Sequence, residues 1–349
     1  TGYMTSRLMK VYCGELKYDD RDSYENKRID TAGRLMANLY KMLLNKLVKD
    51  LKQSMSKEFN NGSWRATGNF DMIINNTNIY KLFKTSSILQ QGFRYALATG
   101  NWGAQKVSKK QGIAQVLQRL GPFSTLSHLR RVNTPMEKTS KLVAPRKLHG
   151  TQIFYICGAE TPEGAGVGVV KNLALSCHIT GYSDISPVTD VVSNMPVLNI
   201  SETNPSDIQT ATKILINGSW HYVTYKPKFI VDKLRHLRRC GILHIHTSIV
   251  WKIQDSVLEI YTDAGRCTRP IYIVKDNVTR INDDIITKLD KKKMKWNNLI
   301  SGSLNTYNDM KQKELSEGVI EFIDVQEEDN CMIAINQDKL IKNSKKTLK

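Results

Sequence analysis

Several side chains in this sequence have the types and spacing that chemistry uses. Glu160 and Glu163 lie three residues apart in Glu160-Thr161-Pro162-Glu163-Gly164, and paired carboxylates can divide acid and base roles. Pro162 and Gly164 give the segment a second reading, a compact turn whose glutamates pair with nearby arginines. That reading is favoured for Glu160 and left open for Glu163. His244 and His246 alternate as two ligands on one strand face would, but no Cys or acidic residue adjoins them. A core or exposed pair is therefore favoured over a metal site. Ser124 and Ser127 stand near His128, yet no acid is placed here to orient the imidazole, so a nucleophilic triad is disfavoured. Six cysteines, at 13, 157, 177, 240, 267 and 331, contain no C-x-x-C pair. They read as reduced core residues rather than a disulfide framework or a zinc site. No cluster of aspartates matches what two-metal phosphoryl transfer needs.

Charge carries the stronger signal. Between residues 92 and 150 stand eleven cations, Arg94, Lys106, Lys109, Lys110, Arg119, Arg130, Arg131, Lys138, Lys141, Arg146 and Lys147, against one anion, Glu137. Phe93, Tyr95, Trp102 and Phe123 are interleaved with them. Screening limits each charge to a Debye length of about 8–10 Å, so this local excess matters more than the global balance. Single-sign blocks are commonly solvated faces or disordered arms. This one is too apolar and too rich in glycine turns for an arm, and reads as a folded surface facing phosphates. Lys106, Lys109 and Lys110 are point charges suited to sequence-independent phosphate contact. The planar fork of Arg146 fits a phosphate or a carboxylate. His128, beside Arg130 and Arg131, has two open readings, a contact to RNA and a helix cap.

The elements that must position these residues follow from composition and periodicity. The chain has 349 residues and a net charge of +18, from 51 Lys and Arg against 33 Asp and Glu. That length predicts two or three domains, and that charge makes nucleic acid the default partner. Hydrophobic residues at 40% and charged residues at 24% are globular proportions. No apolar run reaches the roughly 18 residues of a membrane span. The chain opens on Thr1 with no secretory signature, and reads as a piece of a longer frame. Triplets such as Asn61-Gly62-Ser63 and Asn199-Ile200-Ser201 are therefore chance matches to the glycosylation pattern. Asp30 can cap a helix in which Leu35, Leu39, Leu43, Leu47 and Leu51 recur, with Met36, Tyr40, Leu44 and Val48 widening the apolar face. Ile153 to Cys157 reads as a buried strand, and Asn217-Gly218 as the turn of a hairpin. Leu234 and Leu237 with Arg235, Arg238 and Arg239 predict a helix with a basic exposed side. Lys291 to Lys295 reads as a solvated face, with an outer DNA contact as the second reading. Glu321, Asp324, Glu327, Glu328 and Asp329 read as a solvated acidic face or a subunit contact. The tail from Lys342 to Lys349 reads as frayed.

Longer motif blocks are ordered along the chain. Gly100-Asn101-Trp102-Gly103 is followed by Gln115-Val116-Leu117-Gln118-Arg119, then by Ser124 to Pro135 with Leu126-Ser127-His128-Leu129-Arg130-Arg131. Lys141-Leu142-Val143-Ala144-Pro145-Arg146-Lys147-Leu148-His149 comes next, then Glu160 to Gly164 and Gly168-Val169-Val170-Lys171-Asn172-Leu173-Ala174-Leu175. This order resembles the second-largest (beta-type) subunit of multisubunit DNA-directed RNA polymerase, in its archaeal, eukaryotic and large-DNA-virus branch. The resemblance extends to Asp20-Arg21-Asp22, to Lys27 to Gly33, to Thr262-Asp263-Ala264-Gly265-Arg266, and to Glu317 to Asp324. Abundant Lys, Asn and Ile, and Gly158 before Ala159, lean toward a viral gene.

The resemblance implies an α+β, multidomain fold. Residues 1–99 correspond to the second half of the helical protrusion, 100–180 to the fork, 181–268 to external domain one and 269–349 to external domain two, the last two being small and mixed α/β. It implies a part of the nucleotidyltransferase that makes RNA on a DNA template, framing the active-site cleft, binding the DNA/RNA hybrid and aiding strand separation, but inert alone. The fork loops fall at about Gly103–Gln111 and Met136–Val143. Lys106, Lys109, Lys110, Gln115, Arg119, Arg130, Arg131, Lys138 and Lys141 are the implied nucleic-acid contacts. Arg146 and Glu163 are implied to support active-site geometry without transferring protons. Catalytic Mg2+ is implied on the largest subunit, with no metal and no zinc in this segment. Implied partners are that largest subunit, smaller subunits, template DNA and nascent RNA, with no membrane. The implied setting is the nucleus for a cellular eukaryotic enzyme, and host cytoplasm or virion for a viral one. The second fork loop departs from the family pattern, because Glu137 to Lys141 lacks glycine. Ala165 departs too, at a place that often carries a polar residue, and the first loop is slightly short. The rival reading is a free-standing basic nucleic-acid-binding module without catalysis. A metal-dependent hydrolase lacks its ligands.

Overall fold

The structure, a computed structural model, describes residues 2–61, 87–102, 112–136, 138–204, 208, 210–301 and 317–340. They form two compact units, residues 30–137 and residues 1–29 together with 138–349.

In the unit 30–137, the leucine repeat makes the long helix α1 (Ala32–Asn61). Leu39, Leu43 and Leu47 are buried, while Met36, Tyr40 and Val48 stay exposed. The buried stripe is therefore narrower than the periodicity predicts. The second helix, α2 (Ser87–Thr99), packs on α1 with Ala96 buried and Leu89 and Phe93 partly covered. Gly92 permits the approach, since a Cβ there would overlap the Leu43 side chain. Trp102 closes this small core and donates its indole N–H to the Leu35 carbonyl at 2.9 Å. Asp30 forms an ion pair with Arg34, 3.3 Å away. After Trp102 the described chain resumes at Gly112 and enters α3 (Pro122–Leu129), which carries proline in its first turn, where no backbone donor is lost.

The other unit holds the two larger sheets. Their strands, in chain order, are β1 (His178–Ile179), β2 (Leu198–Asn199), β3 (Thr212–Ile216), β4 (Ser219–Thr224), β5 (Ser248–Lys252), β6 (Val257–Tyr261), β7 (Cys267–Tyr272) and β8 (Ile320–Asp324). A five-stranded sheet runs β2-β4-β3-β6-β5, and a three-stranded sheet runs β8-β7-β1. The β3–β4 hairpin turns at Asn217 (φ 48°) and Gly218 (φ 81°), the left-handed pair that an Asn-Gly turn supplies. β3 and β6 are parallel, and the connection between them carries α5 (Pro227–Arg239). With α4 (Ser186–Ser193), it covers the sheet. Ile230, Val231, Leu234 and Leu237 of α5 are buried against Ile214, Ile249, Leu258 and Ile260. Each such side chain contributes about 1.5–3 kcal/mol. Two further helices, α6 (Asp283–Asp290) and α7 (Asn297–Ser301), precede β8, and α8 (Val325–Asp329) follows it directly.

Two local expectations fail. Ile153–Cys157 is not a buried strand: it is a turn, with Ile153 and Phe154 exposed and only Tyr155 and Ile156 inside. Phe154 takes φ 68°, which reverses the chain, and the Arg269 guanidinium lies over its ring at 4.3 Å. The basic side of α5 is not exposed either. Arg238 is 2% exposed and bonds to Glu327, Glu321 and the Thr247 carbonyl.

Candidate nucleic-acid interface

Residues 138–147 form a loop that ends in the short turn Ala144–Arg146. Arg146 organises it. One guanidinium nitrogen donates to the carbonyls of Ala165 and Val167, both at 2.8 Å. The other donates to the carbonyls of Lys138 at 2.7 Å and Ser140 at 3.0 Å. The planar fork, which lysine lacks, thus ties two loop carbonyls to two carbonyls of the turn 164–167. Gly168 (φ 68°) presses on the same residue, since a Cβ there would overlap the Arg146 carbonyl. Its amide donates to Thr161 Oγ1 at 3.1 Å, and that hydroxyl donates to the Val170 carbonyl at 3.0 Å. The loop is therefore held by backbone geometry despite its missing glycines. Lys138 and Lys141 are exposed and form no ion pair among the described residues. Glu163 opens the turn Gly164–Gly166, is exposed, and likewise forms no ion pair among the described residues. It does not pair with Arg146, whose terminal nitrogens both bond to carbonyls.

The neighbouring strand segment Val170–Asn172 is buried throughout. Lys171 lies within it, 6% exposed, and donates to the Tyr24 hydroxyl at 3.2 Å. Burial, and then the charge of Lys27, push its ammonium below the ordinary lysine value. Burial pushes the Tyr24 hydroxyl up to about 12. The trace of this pair in the sequence is Lys171, which with Asn172 interrupts the apolar run Val169–Leu175.

In the unit 30–137, the candidate residues sit around α3. Gln115 donates its amide to the Gly112 carbonyl at 2.9 Å. His128 Nδ1 accepts from the Gln118 backbone N–H at 3.1 Å, and its Nε2 lies 3.0 Å from Gln115 Oε1. Nδ1 must accept from a backbone donor, so the proton resides on Nε2 and is donated to Gln115. His128 thus braces residues 112–118 on α3. Arg119 is exposed, and Arg130 and Arg131 are half-buried. Lys106, Lys109 and Lys110, with the first loop Gly103–Gln111, lie outside the described residues.

The acidic residues 321–328 are not a solvated face. Glu327 meets Arg238 through both oxygens, at 2.7 and 2.8 Å, and both side chains are 2% exposed. Glu321 takes Arg238 at 2.9 Å and Arg239 at 2.9 and 3.1 Å. Burial opposes ionisation of Glu321, but Arg238 and Arg239 outweigh it and hold the carboxyl at about 2. Asp324 pairs with Arg266 at 2.9 Å, and Glu328 with Arg269 at 2.7 Å. His244 and His246 lie 5.5 Å apart beside Phe322. Burial, then His244 and Arg266, lower His246 to about 4. Among the described residues no group of three His, Cys, Asp or Glu side chains could hold a metal ion. No described helix is long and apolar enough to cross a membrane.

Three family models match the chain: RNA polymerase Rpb2, domain 3, over residues 115–179; domain 4, over 214–275; and domain 5, over 312–349. Across 346 residues, 99% of the chain, it is 40% identical to the DNA-directed RNA polymerase II subunit RPB2 of Encephalitozoon cuniculi, covering 28% of that protein. It is 37% identical to DNA-directed RNA polymerase II subunit 2 of Arabidopsis thaliana, over 97% of the chain and 27% of that protein. It is 31% identical to the DNA-directed RNA polymerase III subunit RPC2 of Drosophila melanogaster, over 97% of the chain and 28% of that protein. The chain spans little more than a quarter of the length of these curated relatives.

Proposed function

The chain belongs to the second-largest-subunit family of DNA-directed RNA polymerase, and from that premise we propose that it frames the nucleic-acid cleft of such an enzyme during template-directed RNA synthesis. The loop carrying Lys138 and Lys141 contacts phosphates at the point where strands part. Gln115, Arg119, Arg130 and Arg131 contribute further backbone contacts, and so do Lys106, Lys109 and Lys110. Arg146 and Glu163 support the geometry of the nucleotide-addition site. Proton transfer and the catalytic magnesium belong to other parts of the enzyme, the metal to its largest subunit. Relatives in RNA polymerases II and III support a nuclear enzyme, with the largest and smaller subunits as partners.

One observation carries this reading. Arg146 ties carbonyls of the 138–147 loop to carbonyls of the turn 164–167, while the heads of Lys138 and Lys141 remain exposed and form no ion pair among the described residues. A phosphate-contacting loop needs that combination of fixed backbone and free cations, because phosphate contacts set register without reading bases.

The test changes Lys138→Gln and Lys141→Gln together in the assembled polymerase. The salt dependence of elongation-complex stability should flatten by up to about 0.9 in logarithmic slope for each lost duplex phosphate contact. Superimposable salt curves for the two enzymes would remove these lysines from the interface.

A further inference from the structure

A second surface in the unit that includes residues 138–349 has the makings of a nucleic-acid contact. Helix α6 stops at Asp290, and Lys292 (φ 55°) reverses the chain. The amides of Lys292 and Lys293 return to the carbonyls of Leu289 and Lys288, each at 2.9 Å. That closes the helix end and projects Lys291, Lys292, Lys293 and Lys295 outward, all exposed, beside exposed Lys288. None of these lysines forms an ion pair among the described residues. A helix C-terminus favours a cation or two in its last turn, but that does not account for the next residue. Trp296 follows the run and is 75% exposed.

The other described tryptophans are all engaged. Trp102 is buried, Trp220 donates its indole N–H to the Tyr222 carbonyl at 3.0 Å, and Trp251 packs against the main core. Trp296 alone among the described tryptophans has an open ring, yet its backbone is anchored. Its carbonyl accepts from the Leu299 amide at 3.1 Å, Leu299 is 2% exposed, and the Leu299 carbonyl accepts from Val319 at 2.6 Å. An indole held in place, with its face in solvent and four lysines within five residues, pairs a stacking platform with a phosphate-attracting field. An acidic protein surface would use the lysines but gain little from an open ring face. Duplex DNA would use the lysines and offer no unpaired base to the ring.

We infer that Lys291, Lys292, Lys293, Lys295 and Trp296 form a contact for single-stranded nucleic acid, in which an unpaired base stacks on Trp296 and the lysines hold the flanking phosphates. This stands independently of the polymerase reading and of the loop 138–147.

Titration of the 349-residue chain with a twelve-nucleotide oligothymidylate, read by tryptophan emission, tests it. The oligonucleotide should quench emission in the unaltered chain, and Trp296→Phe should remove that quenching. Trp296→Ala should weaken binding at this site, followed by anisotropy of a labelled oligonucleotide, by roughly 5- to 150-fold. Changing the four lysines to glutamine should lower the salt slope by up to about 0.7 per phosphate contact. Lys138→Gln with Lys141→Gln should leave the Trp296 quenching intact, which separates this site from the one proposed above. Quenching that persists in Trp296→Phe would overturn the inference. So would equal quenching by a duplex of the same length, which would leave only a phosphate field. Equal quenching by polyglutamate would reassign the surface to an acidic protein. Thermal unfolding of each variant, with melting expected to match the parent, guards against loss of fold.

Discussion

Two arginine-bearing regions of the same unit use the same side chain in opposite ways. Around β8 and α8, each arginine meets a carboxylate: Arg238 with Glu327 and Glu321, Arg266 with Asp324, Arg269 with Glu328. Around the 138–147 loop, Arg146 meets four carbonyls and no carboxylate, and the nearby Lys138 and Lys141 meet nothing charged among the described residues. The first arrangement cancels charge inside the fold. The second spends directional hydrogen bonds on backbone shape and leaves the positive charge of the loop in solvent. A net charge of +18 is therefore unevenly available. Arg238, Arg266 and Arg269 count among the 51 cations but add little to the field outside, because their counter-charges lie within 3 Å.

The sharpest way to break this contrast is Arg238→Met. It strands Glu327 and part of Glu321 in the interior, and removing one partner of a buried pair costs about 3–5 kcal/mol. Denaturant unfolding of the variant should show that loss, and Glu327→Leu added to it should recover a large part. An unchanged midpoint for the single variant would mean that the pair is neither dry nor tight. The same network sets an acid limit. Glu321 titrates near 2 in the fold and near 4.5 when unfolded. The unfolded chain therefore binds the extra proton between these values, and this contribution is full above pH 4.5 and lost as pH falls towards 2.

The next step down is Arg146→Ala. Its carbonyl partners lie near solvent, so water replaces the guanidinium and the cost is about 1–2 kcal/mol. Amide exchange should quicken at Val167, Gly168 and Val169 with little effect on the strands of the five-stranded sheet. Uniform acceleration across the unit would make Arg146 a general stabiliser and erase its local role. The smallest effect belongs to Lys138→Gln with Lys141→Gln, which should move the melting midpoint by less than about 0.5 kcal/mol equivalent. A larger loss would show that these cations have partners within the fold.

Sequence reading reached what is local. Asn217-Gly218 announced its hairpin because the turn demands left-handed residues at both positions. The leucines of α1 announce the helix, but not how narrow its buried stripe is. The buried ion network was invisible for a different reason. Arg238 and Glu327 are 89 residues apart, and a basic helix and an acidic run each look solvated until the fold brings them together. Ile153–Cys157 misled because apolar content does not reveal that Phe154 reverses the chain. At the candidate interface, residue type alone singles out Arg146 as a planar hydrogen-bond donor. The partners of Arg146 were illegible because carbonyls carry no residue signature.

The segment 20–29 and its partners on the far side of the chain impose a timetable on synthesis. Arg28 pairs with Asp263 at a separation of 235 residues, and the Ile29 amide bonds to the Gly265 carbonyl. Residues 30–137 are an insertion between the two pieces of that unit. At about 5–20 residues per second, a ribosome needs on the order of ten to fifty seconds between making Arg28 and making its mate. During that interval the inserted unit has its whole sequence and can fold, whereas residues 20–29 wait without their docking site. A chaperone that shields emerging chains would find its longest task there.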